Sequence, residues 1–207
     1  MKTYPELDNY LKRVALKSPE FLVKVERKAA HDDFPIIGPL CGQYLFQLAR
    51  MIEARRIFEL GSGFGYSACW FSLARGKEAE IHLTDRDPEN KKKALQLFSA
   101  GRLKSEFVYH LGDALGELNK ARGKFDIILN DLDKIKYPDV IEPAWKKLRK
   151  GGVLVTDNVL WSGKVYSGVN DSPTRAIRKF TKMIYSHPGF RSTIIPIRDG
   201  LMVSLRV

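Results

Sequence analysis

Residues 55–76 read RRIFELGSGFGYSACWFSLARG, and the way this stretch divides decides the fold. RRIFELG (55–61) has the length and apolar content of a strand, and GYSACWFSLARG (65–76) reads as a helix stopped by Gly76. The same alternation continues downstream. EIHLTD (80–85) is a second strand, followed by a helix that Pro88 starts and that runs to about Gly101. FVYHLG (107–112) is a third strand, ALGELNKARG a short helix, and FDIILND (125–131) a fourth strand. A helix near 138–149 ends at Gly151-Gly152, and VLVTDNV (153–159) is the fifth strand. Strands separated by helix-length segments predict an α/β fold with a parallel sheet of βαβ units.

The two ends of the chain depart from that rhythm. After a helix near 172–186, FRSTIIPIRD (190–199) and LMVSLRV (201–207) flank Asp199-Gly200. Both turn residues tolerate positive φ, so this pattern predicts a C-terminal hairpin that closes the sheet with an antiparallel strand. Residues 1–54 read as a helical cap, with helices near 5–16, 19–30 and 38–53. No linker, repeat or low-complexity stretch interrupts the chain. A single domain over 1–207 is expected, with the cap at 1–54 and the α/β core at 55–207.

Composition excludes several classes. The chain has 207 residues, 44% hydrophobic and 29% charged, which is neither disordered nor fibrous. No apolar run approaches the ~20 residues of a membrane helix. The opening MKTYPELDNYLKRVALKSPE lacks a signal-peptide apolar core. The two cysteines, Cys41 and Cys69, make no disulfide framework or metal knuckle, so a cytoplasmic location without a membrane partner is expected. The net charge of +11 is spread along the chain, with one tight cluster at Lys91-Lys92-Lys93. It admits a phosphate-rich partner without specifying one.

The loop Glu59-Leu60-Gly61-Ser62-Gly63-Phe64-Gly65-Tyr66-Ser67 lies where backbone can pass close to a ligand. A dinucleotide fingerprint would need glycine at Tyr66. An acidic residue two before the first glycine of G-x-G-x-G instead fits S-adenosylmethionine, whose ammonium favours a carboxylate such as Glu59. Asp85, at the end of the second strand, is placed to chelate ribose hydroxyls. Gly112-Asp113-Ala114, after the third, would flank the adenine.

The fourth and fifth strands end in Asn130-Asp131-Leu132-Asp133-Lys134 and Thr156-Asp157-Asn158. If these strands are neighbours, Asp131, Asp157 and Asn158 converge as hard oxygen ligands suited to Mg²⁺ or Ca²⁺, with positions left open for substrate. Lys134 is the candidate general base. Asp133 reads as a cap for the next helix. His31, His82, His110 and His187 are scattered and read as structural or surface residues. Cys69, Trp70 and Phe71 read as core, and Trp161 and Tyr166 as either core or a wall of the acceptor pocket.

ELGSGFGYSA, LTDRDPEN, GDAL, DLDKIKY and DNVLWSGKV occur in an order and spacing that resemble the cation-dependent O-methyltransferases, a family that includes the caffeoyl-CoA O-methyltransferases and, more distantly, catechol O-methyltransferase. The likeness spans roughly residues 35–207. It implies a Rossmann-like, seven-stranded class I methyltransferase sheet, often dimeric. It implies metal ligation by Asp131, Asp157 and Asn158, with Mg²⁺, Ca²⁺ or Mn²⁺ as the ion, and Lys134 as base. It places Ile37, Glu59, Gly61, Ser62, Gly63, Ser67, Asp85, Asp113 and Ala114 at S-adenosylmethionine, and Asp131 and Ser162 at the substrate. Asn130 departs from the family, which carries an apolar residue there, and Asp85 replaces a glutamate common in bacterial members. The implied activity is methyl transfer to a hydroxyl of a small catechol-like or phenolic acceptor. The alternatives are methylation of a tRNA hydroxyuridine at the same metal site and, more remotely, a non-catalytic S-adenosylmethionine-binding protein.

Overall fold

In a computed structural model describing residues 5–207, the apolar runs from residue 55 onward become seven strands in one sheet. Residues 1–4 of the predicted cap lie outside the described residues. β1 (Arg56–Leu60), β2 (Glu80–Asp85), β3 (Glu106–Leu111), β4 (Phe125–Asn130) and β5 (Leu148–Thr156) are parallel. β6 (Phe190–Ile195) and β7 (Leu201–Arg206) are antiparallel, and the order is β3-β2-β1-β4-β5-β7-β6. The chain steps outward one way from β1 to β2 and β3, then returns to β4 on the other side. The crevice above β1 and β4 is therefore the switch point at which open α/β sheets bind ligands.

Successive strand residues face opposite layers. Ile57, Ile127, Leu129, Val153 and Val155 pack under α3 (Gly38–Met51), α4 (Tyr66–Arg75) and α5 (Pro88–Ala100). Phe58, Leu60, Ile128 and Leu154 pack under α6 (Ala114–Lys120), α7 (Tyr137–Lys147) and α8 (Ser172–Ser186). Burial on both faces is why the central strands read as unbroken apolar runs. Cys69, Trp70 and Phe71 all lie in this core. Asp87, Asp113 and Asp171 cap α5, α6 and α8 by accepting backbone N–H groups of Glu89, Gly116 and Thr174.

The cap consists of α1 (Pro5–Val14), α2 (Glu20–His31) and α3. It reaches the glycine loop through Tyr66, whose hydroxyl donates to Glu26 Oε1 at 2.6 Å, and Ser18 Oγ donates to the same oxygen at 2.7 Å. Among the described residues no helix is long and apolar enough to cross a membrane.

Three expectations change. The expected hairpin turn at Asp199-Gly200 is part of a five-residue connection, 196–200, between β6 and β7. Pro196 has no N–H for the ladder, and the carbonyls of Asp199 and Gly200 serve Leu160 N (2.9 Å) and Val159 N (3.1 Å) beyond β5. The helix expected to 149 stops at Lys147, because Leu148 already pairs with Phe125 and β5 runs through Gly151-Gly152 with a register shift. His82 and His110 are not scattered. On neighbouring strands they stack with ring centroids 5.2 Å apart, and Nδ1 of His82 meets Nε2 of His110 at 2.9 Å. The pair sits on the sheet face away from the cap, stacked on Phe58.

The cap docks by close approach: a Cβ at Gly42 of α3 would fall 2.2 Å from Nε1 of buried Trp70 in α4. Gly42→Ala is expected to destabilise the protein by about 1–3 kcal/mol through overpacking. Urea denaturation followed by tryptophan fluorescence reads this, and an unchanged midpoint would contradict the docking.

Candidate functional site

A cavity of about 380 Å³ opens above the carboxyl ends of β1, β2, β4 and β5, with residues 34–37 and Arg198 also in its wall. Of the residues singled out from sequence, Ile37, Gly61, Ser62, Gly63, Ser67, Asp85, Asp131, Lys134, Asp157 and Asn158 line it. Glu59, Asp113, Ala114 and Ser162 are not in its wall. Phe34 and Asn90 are, and the sequence reading had not marked them.

The glycine loop has the shape its composition suggested. Gly61, Gly63 and Gly65 have φ of 82°, 51° and 80°, the left-handed region that glycine enters without strain. A Cβ at Gly61 would lie 2.7 Å from the Asp131 carbonyl oxygen. Side chains of β2 and β3 hold the loop: Gly63 N donates to Asp85 Oδ2 at 3.1 Å, and the Tyr109 hydroxyl donates to the Gly63 carbonyl at 2.5 Å.

Behind the loop, Glu59 is 1% exposed, with the hydroxyls of Ser62 and Ser67 at its carboxyl and no cation among the groups that shift it. Burial pushes its carboxyl up to about 8; the hydroxyls of Ser67 and Ser62 draw it back, and the charge of Asp131 adds to the rise. Asp113 is engaged differently. Lys136, the Gly116 amide and Arg86 hold its carboxyl far below the ordinary range while it caps α6.

The acidic strand ends do meet. Asn130 pairs with Thr156 across β4 and β5, so Asp131 and Asp157 are the next residues on neighbouring parallel strands. Asp157 is buried: Oδ2 accepts from Arg198 Nη1 at 3.3 Å, and Oδ1 has no partner. Burial first, then the charge of Asp131, pushes its carboxyl up to about 7 against the pull of Arg198. Asp131 is also raised by burial although 33% of its side chain is exposed, and Lys134, donating from Nζ to Oδ1 at 3.1 Å, opposes the rise.

Behind them, Asn130 accepts from Leu132 N at 3.4 Å, which gives its departure from the family a hydrogen-bonding role. Asp133 caps the turn that follows by accepting from Ile135 N. Asn158, with φ of 58°, donates from Nδ2 to Asp199 at 3.3 Å, so its amide oxygen is the atom left for a cation. Among the described residues no group of three His, Cys, Asp or Glu side chains is placed to hold a metal. The donor set here is two carboxylates and one amide.

Arg198 and Asp199 also escaped sequence reasoning, because they looked like turn chemistry. Asp199 accepts from Ser162 N as well, which ties the loop after β5 to the connection between β6 and β7. Trp161 does not line the cavity. Its ring stands 5.8 Å from Lys134 Nζ and 5.4 Å from Lys164 Nζ, and Tyr166 is exposed.

A family model described as O-methyltransferase matches residues 13–207. A catechol O-methyltransferase of Niastella koreensis is 27% identical over 214 residues, covering 98% of this chain and 97% of its own. One from Mycobacterium tuberculosis is 30% identical over 155 residues, covering 74% and 70%. Among solved structures, the O-methyltransferase from Bacillus cereus in complex with SAH superposes with a TM-score of 0.86 at 25% identity, covering 98% of this chain and 97% of that one. The O-methyltransferase TomG from Streptomyces achromogenes, in complex with SAM, gives 0.84 at 25% identity, covering 98% and 96%.

The raised carboxyl of Glu59 makes a pH-dependent prediction. The fold favours its protonated form, so its contribution is intact below the unfolded value near 4.5 and is lost as pH rises through about 8. Glu59→Gln mimics the protonated acid. In the ligand-free protein it is expected to match the parent near pH 4.5 and to be increasingly more stable towards pH 8.5. Denaturation at the two pH values checks this, and a pH-independent difference would refute it.

Proposed function

The chain belongs to the O-methyltransferase family and is an S-adenosylmethionine-dependent enzyme, and from that premise we propose that it methylates a hydroxyl of a small catechol-like acceptor with the help of a divalent cation. The observation that carries this reading is the pair Asp131 and Asp157, abutting at the ends of β4 and β5, with Lys134 on the first of them. The relatives named as catechol O-methyltransferases support the acceptor class.

The residues present fit both groups. The buried, unpartnered Oδ1 of Asp157 calls for a positive partner, and the buried carboxyl of Glu59 behind the glycine loop has only serine hydroxyls beside it. Asp131, Asp157 and the Asn158 oxygen would hold the cation. The loop 61–67, Asp85 and Ile37 would hold S-adenosylmethionine. When bound, these supply a Lewis acid that makes an adjacent hydroxyl more acidic and a sulfonium methyl that a nucleophilic oxygen can take.

The chain's own residues supply orientation and proton transfer. The acidic strand ends fix where the acceptor's paired hydroxyls dock, and Lys134 Nζ takes the proton of the reacting one. Leu132 O, 3.3 Å from that nitrogen, and the ring of Tyr137, 5.5 Å away, keep it aimed. Asp199 holds Asn158 and the Ser162 backbone in left-handed conformations that would otherwise relax. Most of the acceleration then comes from positioning and fixed charge.

The net charge of +11 favours a second reading, a tRNA hydroxyuridine as acceptor at the same site. Tight binding of tRNA at low salt that weakens steeply as salt rises would favour it over the small phenol. A homodimer is proposed as the working assembly.

Methylation of catechol is expected to stop in EDTA and to return with Mg²⁺ or Mn²⁺. Lys134→Met is expected to lower kcat by roughly 10²–10⁴-fold, the range of a lost general base. Tritiated methyl transfer measures both, and undiminished activity in EDTA would remove the metal from the account.

A further inference from the structure

A second cavity, of about 630 Å³, lies between α1, α2 and the start of α3. It shares Phe34, Pro35, Ile36 and Arg198 with the first, so the two meet at that wall. Among the described residues, Arg198 is the only charged one that lines both. Its backbone is left-handed at φ 52°, in the connection between β6 and β7. Its stem passes Gly38, where a Cβ would come 3.7 Å from the arginine Cδ. The side chain is 38% exposed, and among the described residues its one acceptor is Asp157 Oδ2. A guanidinium carries five donors in a rigid fork, so most of this one faces the junction without a protein acceptor.

We propose that Arg198 is a specificity-determining residue that selects acceptors bearing a carboxylate, received in this second cavity while their hydroxyls face Asp131 and Lys134. This rests on the catechol reading above and adds the acceptor's charge. Three features favour an anion. Any cation taken up by Asp157 competes with the guanidinium and leaves it to the ligand. Of the cavity's carboxylates, Glu26 is engaged by Tyr66 and Ser18, and Asp33 lies exposed. The planar fork of arginine matches a carboxylate with two parallel hydrogen bonds, as an ammonium does not.

The test compares 3,4-dihydroxybenzoate with catechol for the Mg²⁺-loaded parent, Arg198→Gln and Arg198→Lys. It uses kcat/KM and calorimetric binding in the presence of S-adenosylhomocysteine. The parent is expected to prefer dihydroxybenzoate by about tenfold or more, the scale of a charge-assisted hydrogen bond. That ratio should collapse towards one in Arg198→Gln, through KM rather than kcat, and be partly retained in Arg198→Lys. Equal kcat/KM in the parent, or a preference that survives in Arg198→Gln, overturns the proposal. If neither compound is methylated, the catechol reading fails and binding alone decides. Tighter binding of dihydroxybenzoate that Arg198→Gln abolishes sustains the role of Arg198; equal binding, or none, removes it.

Discussion

Two aspartates at the ends of adjacent parallel strands impose the constraint around which the site is organised. Strand spacing sets Asp131 and Asp157 close together, and the burial of Asp157 leaves little water around it to screen them. Like charges in such a place force carboxyl groups towards protonation unless cations stand beside them. In the ligand-free chain Lys134 and Arg198 do so, one on each aspartate, and Oδ1 of Asp157 still has no partner.

The surrounding loops follow from holding that arrangement open. Asn158, Trp161 and Ser162 take left-handed conformations within five residues, and Asp199 and Gly200, arriving from the connection between β6 and β7, fasten them. On the other side of the switch point, Gly61, Gly63 and Gly65 keep the loop clear of side chains, while Glu59 lies buried behind it.

Much of this was legible from local signals. Alternating apolar runs and glycines gave the order of strands and helices, because buried parallel strands have little sequence freedom. That Asp131, Asp157, Asn158 and Lys134 gather at one cavity was legible because the carboxyl ends of neighbouring strands lie side by side. What escaped came from distant segments. Arg198 and Asp199 belong to a dipeptide neighbourhood whose local chemistry says hairpin, and only the docking of that loop beyond β5 gives them partners. The contact between His82 and His110 depends on the register of β2 against β3, which spacing alone does not supply. Asp113 illustrates a third limit: a residue before a helix reads equally as ligand contact or N-cap, and here its carboxylate caps α6 and gathers Arg86 and Lys136.

The claim on which the rest depends is that the paired strand-end carboxylates hold a divalent cation. Titration of the purified protein with Mn²⁺, followed by electron paramagnetic resonance, reads this without reference to any acceptor. The account predicts one bound Mn²⁺ per chain in the parent, and in Asp157→Ala a loss of affinity of about a hundredfold or more with the fold intact by circular dichroism. Failure of the parent to bind Mn²⁺, or equal binding by Asp157→Ala, would contradict it.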